Sequence, residues 1–108
     1  MRITGIDLIQ FEYLSFLARD AEGHGHPGPA HVARARIVCI NTDEGLTGLA
    51  MGGAPVMLDA VRQALVGEDP LYRERIWQRL RQFQRLYGPA LHDRYLGAVD
   101  QALWDLGG

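Results

Sequence analysis

The sequence predicts an α+β domain in which a three-stranded antiparallel meander is followed by three helices. Two observations support this prediction: alternating apolar residues occupy the first half of the chain, and apolar residues at helical spacing occupy the second half. A length of 108 residues suits one domain with one modest core. We therefore expect residues 1–108 to fold as a single domain.

Residues 2–13 and 31–42 each alternate between two sets of side chains, as β-strands do. A turn at 42–45 ends the second run, and residues 46–50 then return as a third strand. Cys39 lies within the second run, where we expect a small buried side chain. One face of such a meander is apolar and must be buried against other elements of the domain.

Three helices are predicted to pack on that apolar face. Gly67 suits the end of the first helix, Asp69 and Pro70 form a start signal for the second, and Gly88 ends the second. Asp93 is expected to cap the third. The predicted core-facing residues are Met57, Ala60, Val61, Ala64, Leu65, Tyr72, Ile76, Leu80, Phe83, Tyr87, Tyr95, Val99, Ala102, Leu103 and Leu106.

The third helix carries more apolar surface than one covered face requires. Ala98 and Trp104 lie off its main stripe. A terminal helix on a small domain normally has one wet face, so this width predicts that something further packs there. The main stripe itself is expected to close the domain's own core.

Two stretches are predicted to be loops. Residues 14–30 are rich in glycine and proline, and a loop of this length in so small a domain is typical of a functional or mobile segment. A shorter glycine-containing loop is expected at 51–55.

The longer loop contains His24 and His26, with Asp20, Glu22 and His31 nearby. Imidazole and carboxylate groups suit zinc or nickel. No cysteine or paired histidine elsewhere completes a closed site, so we expect no metal ligands in this chain. Two alternatives remain: a solvated polar loop, or a loop whose histidines contact a small-molecule ligand.

The composition excludes several functions. All eleven basic residues are arginine, so chemistry that needs a desolvated lysine is excluded. Ser15 is the only serine and lacks the glycine pattern of a nucleophile elbow. The formal charge of −2 favours neither a nucleic acid nor a membrane as partner, and the five arginines at 73–85 spread around their helix. A single cysteine and no signal peptide favour a cytoplasmic location.

Residues 98–107, AVDQALWDLG, closely resemble the helix that ends the N-terminal domain of the enolase superfamily, in its mandelate racemase and muconate lactonizing enzyme branch. The likeness extends to the segments at 1–8, 42–48, 67–70 and 74–77, in the same order and spacing. In that family the chain continues into a catalytic (β/α)8 barrel. The sequence stops at Gly108, so we expect the barrel to be missing here.

The resemblance implies a lid whose two loops close over the barrel and contact the substrate. Mapped onto this chain, the substrate-binding residues would be His24, His26, Met51 and Gly52. Proton removal α to a carboxylate, with Mg²⁺ and a lysine or histidine base, would occur in the barrel, so no catalytic residue and no cofactor site is expected in this chain.

The expected partners are therefore a small-molecule carboxylic acid and the barrel, and the parent enzyme is expected to be a homo-oligomer. The polar residues at 20–26 favour a sugar-acid dehydratase as parent, with a racemase or cycloisomerase still open. The alternative is a free-standing interaction module that binds a partner through its last helix.

Overall fold

The computed structural model describes residues 1–107, and Gly108 lies outside the described residues. Three antiparallel strands in the order β1–β2–β3 are followed by three helices, which confirms the predicted α+β fold. Single-turn 3₁₀ helices lie at Pro55–Met57 and Gly88–Leu91. The main elements are β1 (Ile3–Arg19), β2 (Gly25–Thr42), β3 (Thr47–Met51), α1 (Leu58–Leu65), α2 (Arg73–Tyr87) and α3 (Asp93–Gly107).

The prediction of a loop at 14–30 is wrong, because most of this stretch is strand. β1 and β2 pair as far as Arg19 and Gly25, which leaves only a short turn. β3 pairs with residues 37–41 alone, so the outer hairpin is a two-stranded ribbon with free edges. Proline is tolerated at a free edge because no neighbouring strand needs its missing N–H. We call this ribbon, residues 10–36, the arm.

The core lies between one face of the sheet and the helices. The stripe predicted for α1 is buried throughout, and α2 contributes Ile76 and Leu80. Phe83 and Tyr87 pack at the edge of this cluster, whereas Tyr72 precedes α2 and is exposed, against expectation. The largest fully buried side chains are Ile3, Ile6, Ile40, Met57, Leu65, Ile76, Leu80, Leu91, Leu96, Leu103, Val38 and Val61.

α3 packs directly against β3. A methyl group on Gly48 would overlap the carbonyl oxygen of Ala102, so glycine permits this close approach. The carboxylate of Asp105 accepts a hydrogen bond of 2.9 Å from the Leu49 amide, at the free edge of β3. Ala98 is 6% exposed and is therefore covered by the domain itself.

Trp104 is the part of the wide apolar band of α3 that stays open to solvent. Its side chain is 59% exposed. The guanidinium carbon of Arg73 lies 3.6 Å from the centre of its ring, which is a cation–π contact. The domain therefore covers Ala98 and leaves Trp104 for a further partner or for water.

α2 begins one turn later than the sequence predicts. The Asp69 carboxylate accepts a hydrogen bond of 2.9 Å from the amide of Leu71, and its carbonyl accepts one of 3.1 Å from Tyr72. Asp69 and Pro70 therefore form a turn, and helical structure starts at Arg73. The prediction that Asp69 and Pro70 start the helix is therefore wrong by about one turn.

Asp93 is the first residue of α3 but does not cap it. Its carboxylate accepts hydrogen bonds from Gln84 at 2.7 Å and from Arg81 at 3.0 Å, and these bonds lower its pKa. His92 supplies the cap, because its Nδ1 accepts a hydrogen bond of 3.2 Å from the amide of Arg94. Asp93 therefore bonds to side chains of α2 instead of capping α3, which was its predicted role.

Glu68 connects α2 to β1. Its carbonyl accepts a hydrogen bond of 2.8 Å from the Ile3 amide. Its carboxylate lies 3.0 Å from Nε of Arg75 and 3.3 Å from Nε of Arg79. The hydrogen bond from Arg75 is the main reason that the pKa of Glu68 lies below its usual value. Together with Arg81, which pairs with Asp93, three of the five α2 arginines therefore form intramolecular ion pairs.

Cys39 is buried, as predicted, and burial raises the pKa of its thiol.

Among residues 1–107, none of the helices has the length and apolar character that crossing a membrane requires.

Candidate functional site

The arm ends in a turn organised by Asp20. One oxygen of its carboxylate, Oδ1, accepts hydrogen bonds from the amides of Glu22 at 3.0 Å and His24 at 2.9 Å. The backbone closes around the same residue, because the Asp20 amide donates to the carbonyl of His24 at 3.1 Å. The second oxygen, Oδ2, is left facing the neighbouring imidazoles.

Two imidazoles converge on that oxygen. Nε2 of His26 lies 2.8 Å from Oδ2 of Asp20, and Nδ1 of His24 lies 3.8 Å from it. Nδ1 of His24 is also 3.7 Å from the Glu22 carboxylate. The hydrogen bond with His26, followed by the one from the His24 amide, lowers the pKa of Asp20 below its usual value. We call these four residues the tip cluster.

His31, the other histidine near this segment, does not join the tip cluster. Its Nδ1 lies 3.2 Å from the carbonyl of Pro29. The register of β1 and β2 shifts between Ser15 and Leu17, and this irregularity separates His31 from the tip. The sequence therefore grouped three histidines, of which the structure brings together two.

A groove lies at the other predicted contact point, where β3 ends. Gly52 adopts a φ of 117°, which favours glycine, and its amide donates a hydrogen bond of 2.9 Å to the carbonyl of Arg36. Met51 beside it is 61% exposed. The groove has a volume of about 520 Å³ and is lined by Tyr13, Arg34, Ala35, Arg36, Met51, Gly52 and Gly53.

Arg34 and Arg36 line this groove, and Arg34 is paired with a carboxylate. Nε of Arg34 lies 3.2 Å from the Glu12 carboxylate, and Nε of Arg36 donates a longer bond of 3.4 Å to Gln10. Arg36 therefore contacts a neutral amide at its Nε, and such a groove suits an anion such as a carboxylate. Sequence reasoning missed Tyr13 and both arginines; the alternation of the runs at 2–13 and 31–42 was a signal that could have placed them.

The tip cluster and the groove are separate places in this structure. Met51 pairs with Ile37, and His26 lies eleven residues earlier on β2. At about 3.3 Å per residue the two sites are roughly 35 Å apart along the strand. The structure thus brings His24 to His26 and Met51 to Gly52, but it does not bring the two pairs together.

The sequence matches no protein-family model and no curated protein. Among solved structures, it is similar to D-glucarate dehydratase from Agrobacterium tumefaciens complexed with magnesium, at 37% identity and a TM-score of 0.89, over 100% of this chain and 29% of that chain. It is also similar to a candidate mandelate racemase/muconate lactonizing enzyme from Roseovarius nubinhibens ISM, at 26% identity and a TM-score of 0.67, over 99% of this chain and 30% of that one.

A member of the enolase superfamily from Polaromonas sp. JS666 shares the fold, at 24% identity and a TM-score of 0.72, over 99% of this chain and 30% of that one. The chain thus spans about 30% of the length of the solved proteins that it matches.

Proposed function

Because this chain belongs to the enolase superfamily, in its mandelate racemase and muconate lactonizing enzyme branch, we propose that it acts as the N-terminal capping domain of such an enzyme. The observation that carries this proposal is the end-to-end match of the chain to less than a third of the Agrobacterium dehydratase. A segment that matches over its whole length, but covers only part of an enzyme, fits one domain of that enzyme.

In this proposal the catalytic residues belong to a (β/α)8 barrel, whose active site lies at the carboxyl ends of its strands. This chain has no lysine to serve as a base. Its tip cluster combines two imidazoles with two carboxylates, a donor set that does not suit magnesium, which prefers oxygen ligands. Magnesium is therefore assigned to the barrel, and the capping domain contributes binding and exclusion of water.

The substrate contacts proposed for the cap are the side chains of His24, His26 and Met51 and the backbone at Gly52. The arginine-lined groove suits the carboxylate of an acid, and the polar side chains of the tip suit hydroxyl groups better than an apolar substrate. The name of the Agrobacterium relative, D-glucarate dehydratase, supports a sugar-acid dehydratase as parent.

A chimera tests the proposal. Residues 1–108 of this chain would replace the matching segment of the Agrobacterium dehydratase, and turnover would be measured on a panel of sugar acids and apolar acids. We expect turnover of sugar acids, with kcat/KM about tenfold lower for His24→Ala or His26→Ala, because each loses one polar contact worth about 1.4 kcal/mol in the transition state.

His31→Ala is the matched control, because His31 is an exposed histidine of the same arm outside the tip cluster. A folded, active chimera in which all three substitutions have the same effect would show that the tip contacts no substrate. Turnover of any carboxylic acid by the purified 108-residue chain alone would contradict the assignment of catalysis to the barrel.

A further inference from the structure

The tip cluster brings one ligand atom from each of Asp20, Glu22 and His24 within 4.8 Å of one another. We propose that it binds a divalent transition-metal ion, zinc or nickel, and that this site is independent of the magnesium chemistry of the family. The donors are Oδ2 of Asp20, a carboxylate oxygen of Glu22 and Nδ1 of His24.

The spacing of the donors is close to what a metal requires. Zinc bonds of 2.0–2.2 Å in a tetrahedral site place neighbouring ligand atoms about 3.4 Å apart. Nδ1 of His24 lies 3.8 Å from Asp20 and 3.7 Å from Glu22, so these pairs must approach by only about 0.3–0.4 Å. Side-chain rotations supply movements of this size. Nε2 of His26 lies 2.8 Å from Oδ2 of Asp20, so His26 supports this carboxylate through a hydrogen bond and is not counted among the ligands.

The chemistry of the donors selects the metal. Imidazole nitrogen suits zinc, nickel and copper, whereas magnesium keeps to oxygen ligands and to its waters. The cluster is open to solvent, with the Glu22 and His24 side chains 79% and 70% exposed, so water can complete the coordination of the ion.

The local charge also favours a cation. Two carboxylates, Asp20 and Glu22, lie within the turn. The nearest guanidinium, on Arg19, donates a hydrogen bond of 3.0 Å to the carbonyl of Gly23 instead of pairing with either carboxylate. A divalent ion would neutralise both carboxylates at once.

Pairing in the arm explains how these residues meet. Ala18 and His26 lie opposite each other in the ladder, so the turn folds Asp20 back toward His26, six positions further along the chain. The three donors all come from this single hairpin turn, so the site needs no ligand from a distant part of the sequence.

Isothermal titration of the protein with zinc, nickel and magnesium chlorides tests the proposal. We expect one equivalent of zinc or nickel to bind, with no saturable binding of magnesium. His24→Ala and Asp20→Asn should each weaken zinc binding at least tenfold. Glu22→Gln should weaken it as well, and this isosteric change at a highly exposed side chain leaves the fold intact.

His31→Ala is again the control and should bind zinc as the unmodified protein does. Zinc binding that His24→Ala leaves unchanged, or that His31→Ala weakens equally, would overturn the site, as would the absence of any saturable binding. The titration measures no turnover, so its failure and the failure of the capping function are distinguishable.

Discussion

Gly48→Ala should destabilise the domain strongly, because Gly48 is where β3 and α3 meet. The added methyl group would overlap the carbonyl oxygen of Ala102 and lie 2.7 Å from Cγ of Leu106. The carbonyl belongs to the backbone of α3, so relief requires the whole helix to move. We therefore expect a loss at the upper end of the range for overpacked cores, about 3 kcal/mol. For a domain of this size that corresponds to a fall in Tm of about 12 °C.

Gly97→Ala is the matched control, on the helix α3 that packs against Gly48. Gly97 is exposed, and a methyl group there meets no atom within 4 Å. Alanine is the better helix former, so this variant should gain about 0.5–1 kcal/mol. Urea unfolding followed by far-UV circular dichroism measures both variants. Equal midpoints for Gly48→Ala and the unmodified protein would refute the described packing of α3 on β3.

The remaining predictions concern one surface side chain and one ion pair. Trp104→Ala should lower the free energy of unfolding by about 1 kcal/mol, which is the value of an exposed cation–π contact with Arg73. It should not cost the 3–5 kcal/mol of a buried aromatic, because Trp104 is exposed. Urea midpoints measure this loss, and Arg73→Ala should destabilise the domain by about the same amount. Glu68→Gln should cost about 1–2 kcal/mol at pH 7 because it removes a charged hydrogen bond to Arg75. The pKa of Glu68 is lowered by folding, so its stabilisation is present above the usual value of 4.5 and is lost as the pH falls below it. Unfolding curves for both proteins should therefore converge in acid, and a constant difference would contradict this account.

The helices were predictable because their signal is local. The stripe from Met57 to Leu65 repeats at helical spacing, and burying that stripe is what stabilises α1. The exact start of α2 was not predictable, because Asp69 can stabilise either a cap or a turn with the same carboxylate. The role of Asp93 depended on Gln84, nine positions earlier, which no local pattern indicates.

The arm was mispredicted for a related reason. Glycine and proline at 23–29 disfavour a central strand but are tolerated at a free edge, and no local pattern in the sequence indicates that β1 and β2 continue to pair beyond the end of the short β3. The histidines could be named as candidates, but their meeting with Asp20 depends on the register of β1 and β2. The groove was likewise hidden, because it needs Tyr13 and Arg36 from two strands together with the turn at Gly52.

The hydrogen bond from the Leu49 amide to the Asp105 carboxylate joins positions 56 residues apart, so it can form only late in the synthesis of the chain. While the ribosome is still making α1 and α2, β3 has been translated, but its edge away from β2 has no neighbouring element. Only after residue 105 leaves the exit tunnel can Asp105 bond to that edge. Products of premature termination would therefore carry an unprotected strand, the kind of surface on which nascent chains aggregate and chaperones bind.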